Sequence, residues 1–193
     1  CALECGEQVE LINASISEGK TRSPEFLKMN PRGQVPVLVD NGLVIREGAA
    51  QMVYMMDKHN CALLPKIGEA RARALEWLMW GNATLHVAYS KAFMMGRAFP
   101  DEAMKKIGSD YCCQQIQKLW DEAEAHLQNN AFLAGAECTM ADILMTVIAN
   151  WSTNLSTPIN FGPNVLRVIK ACLARPTYQA ALASENVTYK VAA

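Results

Sequence analysis

Excess charge of either sign is missing from this chain: 18 Lys and Arg against 19 Asp and Glu leave a net charge of −1. The basic surplus that holds a nucleic-acid backbone is lacking, and no block of like charge marks a solvated tail. No apolar run reaches the roughly 18 residues of a membrane-spanning helix, so neither nucleic acid nor membrane is an expected partner. A secretory signal pattern is not found either. The seven cysteines are odd in number and contain no Cys-x-x-Cys. The neighbours Cys112 and Cys113 are poorly placed to bridge each other. A disulfide scaffold and a zinc site are therefore not expected, and no metal is. Reduced thiols, most of them buried as small hydrophobes, and a cytoplasmic location are the expectation.

What is present is an ordinary globular composition, 51% apolar and 19% charged over 193 residues, enough for a sizeable core in one domain or two small ones. The pattern changes near Asn60 to Ile67. Before it, short apolar runs alternate with turns. Gln8 to Ile12 reads as a strand. Ser23-Pro24-Glu25 starts a short helix, with Ser as N-cap and Pro at the first helical position. Glu47 to Lys58 reads as a helix, on which Met52, Met55 and Met56 are expected to be exposed. After Leu64-Pro65 the pattern is helical throughout. Helices are expected over Glu69 to about Met95, Asp101 to Gln128, Thr139 to about Asn150 and Pro163 to Ala174, with a short last helix to about Ser184. On the second of these Ile107, Tyr111, Ile116, Leu119, Trp120, Ala123 and Leu127 lie at core-like spacing. His59 and His126, near helix ends, read as surface residues. The four tryptophans, Trp77, Trp80, Trp120 and Trp151, read as core or domain-interface packing.

The most informative stretch runs from Asn30-Pro31-Arg32-Gly33-Gln34-Val35-Pro36 through Val37-Leu38-Val39-Asp40-Asn41-Gly42 to Leu43-Val44-Ile45. Asn-Gly between two apolar runs signals a tight hairpin. A Pro at the mouth of a strand removes a ladder donor and leaves the Val35 N–H and C=O free to pair outside the sheet. The segment resembles the glutathione-binding half of glutathione transferases, a thioredoxin-like domain in which such a Pro is cis. Phe132-Leu133-Ala134-Gly135 before Thr139-Met140-Ala141-Asp142 supports the resemblance. In the residues themselves, Thr139 and Asp142 make a capping box with Asp in place of Glu. In the family, such a turn and cap open the core helix of the second domain. Glu76-Trp77-Leu78, Leu85-His86-Val87-Ala88-Tyr89-Ser90 and Ala174-Arg175-Pro176 are similar to the bacterial beta class.

The resemblance implies a fold: an α/β thioredoxin-like N-terminal domain, lacking its first strand, followed by an all-α helical bundle. The domains expected are 1–60, thioredoxin-like and glutathione-binding; a linker, 61–67; and 68–193, all-helical with an electrophile pocket. Ala2-Leu3-Glu4-Cys5-Gly6 looks like the end of the family's first helix. The strand and the loop with the sulfur-activating residue are then expected ahead of Cys1, and residues 1–193 by themselves are expected to bind glutathione weakly and turn over at a trace rate.

The resemblance also implies a site. Val35 pairs its backbone with the cysteinyl part of glutathione, Pro36 shapes the turn, and Gln34 flanks it. Glu47 and Gly48, at a helix start, receive the γ-glutamyl group, with Gly48 standing where the family carries a hydroxyl. His86 points at the glutathione sulfur as the catalytic group, and Asn82 shares its helix face together with Met79, Ala83 and Ser90. Glutathione is the co-substrate, a small hydrophobic electrophile the second substrate, and a homodimer the assembly. The expected chemistry is attack of the glutathione thiolate on an electrophilic carbon, or thiol–disulfide exchange. The other possibility is a non-catalytic transferase-like module that binds ligands or assembles with proteins.

Overall fold

The computed structural model describes residues 1–191 and separates into two compact units, Cys1–Cys61 and Ala62–Ala193. The first unit holds one antiparallel hairpin. Strands β1 (Leu38–Asp40) and β2 (Leu43–Ile45) pair with Leu38 opposite Ile45 and Asp40 opposite Leu43. Asn41 and Gly42 both take positive φ, 48° and 87°, the backbone that a two-residue turn matching the strand twist requires. Helix α1 (Pro24–Met29) begins as expected: the Ser23 hydroxyl accepts from the Phe26 N–H at 3.2 Å, and Pro24 opens the first turn. Helix α2 spans Gly48–Lys58 with Glu47 as N-cap residue.

The expected strand at Gln8–Ile12 does not form. The segment is extended but irregular, and Leu11 and Ile12 are 71% and 79% exposed. A strand exists only as part of a ladder, and among the described residues the sheet contains β1 and β2 alone. The methionines of α2 also differ from expectation. Met55 and Met56 are buried, and Met52 is half-buried. They lie with Ala49 and Gln51 on the buried side of the helix.

The second unit is helical. Helix α3 (Gly68–Met79) runs into α4 (His86–Ala98) through one wide turn, Trp80–Leu85, whose hydrogen bonds skip five residues rather than four. The sequence reads this whole stretch as one uniform helix. Gly81 sits in the wide turn, and a Cβ there would come within 3.1 Å of the Leu144 side chain, so the missing side chain lets a neighbouring helix approach. Helix α5 (Glu102–Leu127) packs back along α4, its N-terminus capped by Asp101 accepting from the Met104 N–H at 2.8 Å. Its buried face is Ser109, Cys113, Ile116, Trp120, Ala123 and Leu127. Ile107 and Tyr111, which share the spacing but stand near the free end, are 70% and 62% exposed, and Leu119 is half-buried.

Helix α6 (Met140–Ala149) is the core element, apolar on nearly every side. The expected capping box starts it. The buried Asp142 carboxylate accepts from the Thr139 N–H and the Leu133 N–H, both at 2.8 Å, and from the Thr139 hydroxyl at 3.0 Å. Helices α7 (Pro163–Leu173) and α8 (Pro176–Ser184) follow, each with Pro at its first position. Leu78, Leu85, Ile116, Met145, Ile148 and Ile169 are fully buried here, each contributing roughly 1.5–3 kcal/mol. Inside this core Trp120 Nε1 donates to the Tyr89 hydroxyl at 2.9 Å, and Tyr89 in turn bonds Ser152. Of the tryptophans only Trp120 is fully buried; Trp77, Trp80 and Trp151 are half-buried. Of the seven thiols, all free, only Cys113 and Cys172 are buried, fewer than expected.

Candidate functional site

Helix α1 ends at Asn30, which is wholly buried. Its Oδ1 accepts from the Arg32 N–H at 3.2 Å, the local turn that Asn favours, and its Nδ2 donates to the Gln34 carbonyl at 2.7 Å. Gly33 N–H donates to the Asn30 carbonyl at 2.9 Å. Gly33 has φ +63°, and a Cβ on it would lie 2.9 Å from the Thr21 carbonyl oxygen. Only glycine meets both demands. The chain therefore reverses over residues 30–33 and leaves extended toward β1.

The Val35–Pro36 peptide is cis, as the resemblance implied. Val35 is exposed, and no hydrogen bond within the described residues engages its N–H or its C=O. The Pro36 ring lies against the start of α2: a Cβ on Gly48 would be 3.6 Å from Pro36 Cγ, an ordinary contact. The Glu47 side chain makes no cap bond. Instead Arg32 Nη2 donates to Glu47 Oε1 at 2.7 Å. The first N–H groups of an α-helix have no partner within it and carry partial positive charge, and α2 begins here.

Gln34, Val35, Pro36, Glu47 and Gly48 are thus gathered in one patch of the first unit: two free backbone pairing groups, a carboxylate and a helix N-terminus. Asn82 and His86 belong to the second unit. The wide turn alters the face they were expected to share. His86 N–H bonds the Gly81 carbonyl, five residues back, so the spacing of 3.6 residues does not hold from Asn82 to His86, while His86 and Ser90, both on α4, keep it. Asn82 and His86 are both half-buried, while Met79, Ala83 and Ser90 are exposed. The His86 ring meets Trp151 edge-on at 5.1 Å between centroids. Burial pulls the His86 pKa below its usual 6.5, which favours a neutral imidazole.

The other histidines are not free surface groups. His126 is half-buried, bonded to the Leu133 carbonyl at 2.9 Å and set against Trp77 at 4.5 Å. His59 is half-buried and lies 3.1 Å from the Glu7 carboxylate. A cavity of about 500 Å³ in the helical unit is lined by Trp77, His126, Leu133 and the mutually paired Arg73 and Glu76. Neither His86 nor Asn82 lines it. The sequence gives Asn30, Arg32 and Gln51 no role at the site and gives Trp151 only a packing role. The Asn30-Pro31 pair carried a readable turn signal; the others depend on partners far along the chain.

Fold and site together define a thioredoxin-like hairpin domain whose backbone at Val35 is unpaired among the described residues, followed by an all-helical domain. Comparison with known proteins narrows this. Residues 2–56 match the model of the glutathione S-transferase N-terminal domain, and residues 85–176 match that of the C-terminal domain. Glutathione S-transferase 3 of Zea mays is 30% identical over 94% of this chain and 85% of its own length. Glutathione S-transferase GST-4.5 of Xanthomonas campestris pv. campestris is 28% identical over 89% of this chain and 85% of its own. The theta class glutathione S-transferase of Xanthomonas axonopodis pv. citri, solved with glutathione bound, superposes with a TM-score of 0.81. It is 25% identical, covering 93% of this chain and 87% of that one. The chain belongs to the glutathione S-transferase family.

Proposed function

We propose that residues 1–60 form the glutathione-binding domain of a glutathione transferase, that 61–67 link it to the helical domain 68–193, and that the latter carries the electrophile pocket. The observation that carries this reading is exposed Val35, whose N–H and C=O no described group occupies. An extended tripeptide thiol pairs with such groups as an added strand does. Gln34 flanks the ligand and Pro36 shapes the turn. Glu47 takes the γ-glutamyl ammonium. Its carboxylate falls to Gly48 and the N–H groups opening α2, the usual place for an anion on a helix.

The reaction is transfer of the glutathione sulfur to an electrophilic carbon of a small hydrophobic compound, or glutathione-dependent thiol exchange. A bound thiol is a nucleophile only as its thiolate. His86, held neutral by burial, accepts or orients the thiol proton, and Asn82 contributes a polar contact. The class we propose is bacterial beta, on Glu76-Trp77-Leu78, on Leu85 through Ser90 and on Ala174-Arg175-Pro176. A cytoplasmic homodimer with a detoxifying role fits that class.

Titration calorimetry with glutathione, followed by a turnover assay on an aryl halide, tests the reading on the full-length gene product. Saturable binding together with conjugation supports it. Binding without turnover of any electrophile or disulfide favours a ligand-holding module, and absence of binding overturns the site.

A further inference from the structure

Gln51 lies in the second turn of α2 and is nine-tenths buried. A polar side chain at such a position is favourable only when its hydrogen-bonding groups are used. The donors of Gln51 are used twice: Nε2 donates to the Pro36 carbonyl at 2.9 Å and to the Ile45 carbonyl at 2.9 Å. One amide thereby ties α2 to the residue after the cis peptide and to the end of β2. A matching contact stands on the other side. The buried Asn30 amide holds the Gln34 carbonyl at 2.7 Å while its oxygen holds the Arg32 N–H. The residue before Val35 and the residue after it are thus each gripped by a buried carboxamide. Val35, between them, is exposed and makes no hydrogen bond to any described residue.

We infer that Gln51 and Asn30 are a pair of positioning residues for the thiol-peptide ligand. They fix the place and tilt of the Val35 N–H and C=O, so that both meet the ligand's cysteinyl unit without rearrangement. Two parallel hydrogen bonds need both partners correct to a few tenths of an ångström and a narrow range of angle, and a loop free to rotate loses that match. Neither side chain is itself asked to touch the ligand. This inference rests on the glutathione reading of the site.

The test uses two ligands, glutathione and glutathione methylated at its cysteinyl nitrogen, which cannot donate to the Val35 carbonyl. Each is titrated calorimetrically into the full-length protein and into Gln51→Met, which keeps length and bulk but removes both donors, at a temperature where circular dichroism shows both folded. In the unsubstituted protein methylation should weaken binding about tenfold. In Gln51→Met glutathione itself should bind about five- to tenfold more weakly, and methylation should cost it at most about twofold more. A role confined to stability would move the melting temperature and leave the methylation penalty intact. Equal penalties in both proteins, or unchanged glutathione affinity in Gln51→Met, overturn the inference while leaving the glutathione site standing. Failure of the unsubstituted protein to bind glutathione overturns the site itself. Should Gln51→Met not fold, Asn30→Asp serves in its place: it keeps the acceptor for Arg32 and loses the donor to Gln34. The same loss of the methylation penalty is expected, and its retention overturns the inference.

Discussion

Arg32 and Glu47, fifteen residues apart in sequence, meet through a single charge-assisted hydrogen bond, Arg32 Nη2 to Glu47 Oε1 at 2.7 Å. It joins the loop ahead of β1 to the residue that precedes α2. The acid proposed to receive a ligand ammonium therefore already faces one cation. A carboxylate has about four lone-pair sites on its two oxygens, so Glu47 accepts a second donor without releasing Arg32. Both side chains are more than half exposed, and a pair of this kind adds little to stability.

Replacing Glu47 should for that reason separate binding from folding. Glu47→Gln is expected to weaken glutathione about tenfold in a calorimetric titration. The same substitution should change the urea midpoint by the equivalent of less than about 1 kcal/mol. A glutathione affinity unchanged in Glu47→Gln would remove this residue from the site.

His86 should show itself in pH dependence. Its pKa is lowered by burial, so the unfolded chain binds the imidazole proton more readily than the folded one. Stability must then rise with pH where the two states differ in protonation. The folded state is at its best above the usual imidazole value of 6.5. It weakens as pH falls below that, and the loss levels off once pH has passed the lowered folded value. Urea unfolding of His86→Gln between pH 5 and 8, roughly the range in which histidine titrates, should lack this component. His86→Ala should lower turnover about tenfold at neutral pH and shift the acid limb of the rate profile. Full activity with a reduced melting temperature would make His86 a packing residue.

Asp142 is a test of the core. Burial raises its pKa, against the lowering effect of the N–H groups it caps. Asp142→Ala strips the Leu133 and Thr139 N–H groups of their acceptor and should cost about 2–4 kcal/mol in urea unfolding. Asp142→Asn, which keeps one carbonyl oxygen, should cost less. Because the folded pKa lies above the unfolded value of 3.8, this group's favourable part is complete below that pH and is lost as pH rises through the folded value. The alanine variant should show no such titration.

Tyr89→Phe removes one oxygen from the fully buried bond to Trp120 Nε1. The indole N–H is left without an acceptor, at a cost of about 1–3 kcal/mol. Thermal unfolding should register this, while glutathione affinity stays within twofold.

Features decided by neighbouring residues were legible in the sequence. Ser23 and Pro24 begin a helix, Asn41-Gly42 turns a hairpin and Thr139 with Asp142 caps α6, because each needs only a partner two or three residues away. The patch of Val35, Pro36, Glu47 and Gly48 was legible through its resemblance to a known loop. What escaped depends on distant groups. Gln8–Ile12 has the composition of a strand but no described ladder to join. Ile107 and Tyr111 keep a helical spacing near the end of α5 and remain exposed, while Met55 and Met56 are buried. Gln51 reads from sequence as one more polar residue on a helix; only the carbonyls of Pro36 and Ile45 reveal its use. Arg32 is likewise unremarked until Glu47 is beside it.

The wide turn at Trp80–Leu85 gives this stretch a tolerance of chain length that the helices beside it lack. It holds more residues per turn than the helices on either side, so a single deletion within it, at Ala83 for example, leaves enough chain for ordinary α-helical winding. Each α-helical residue advances the chain by about 100°. Everything after the deletion, beginning with the His86 imidazole, would keep nearly its present direction relative to α3, because the wide turn gives up its surplus residue; the same deletion inside α4 would swing all that follows it by that angle. This one place can therefore lose a residue without re-aiming the side chains of α4, which a regular helix cannot do.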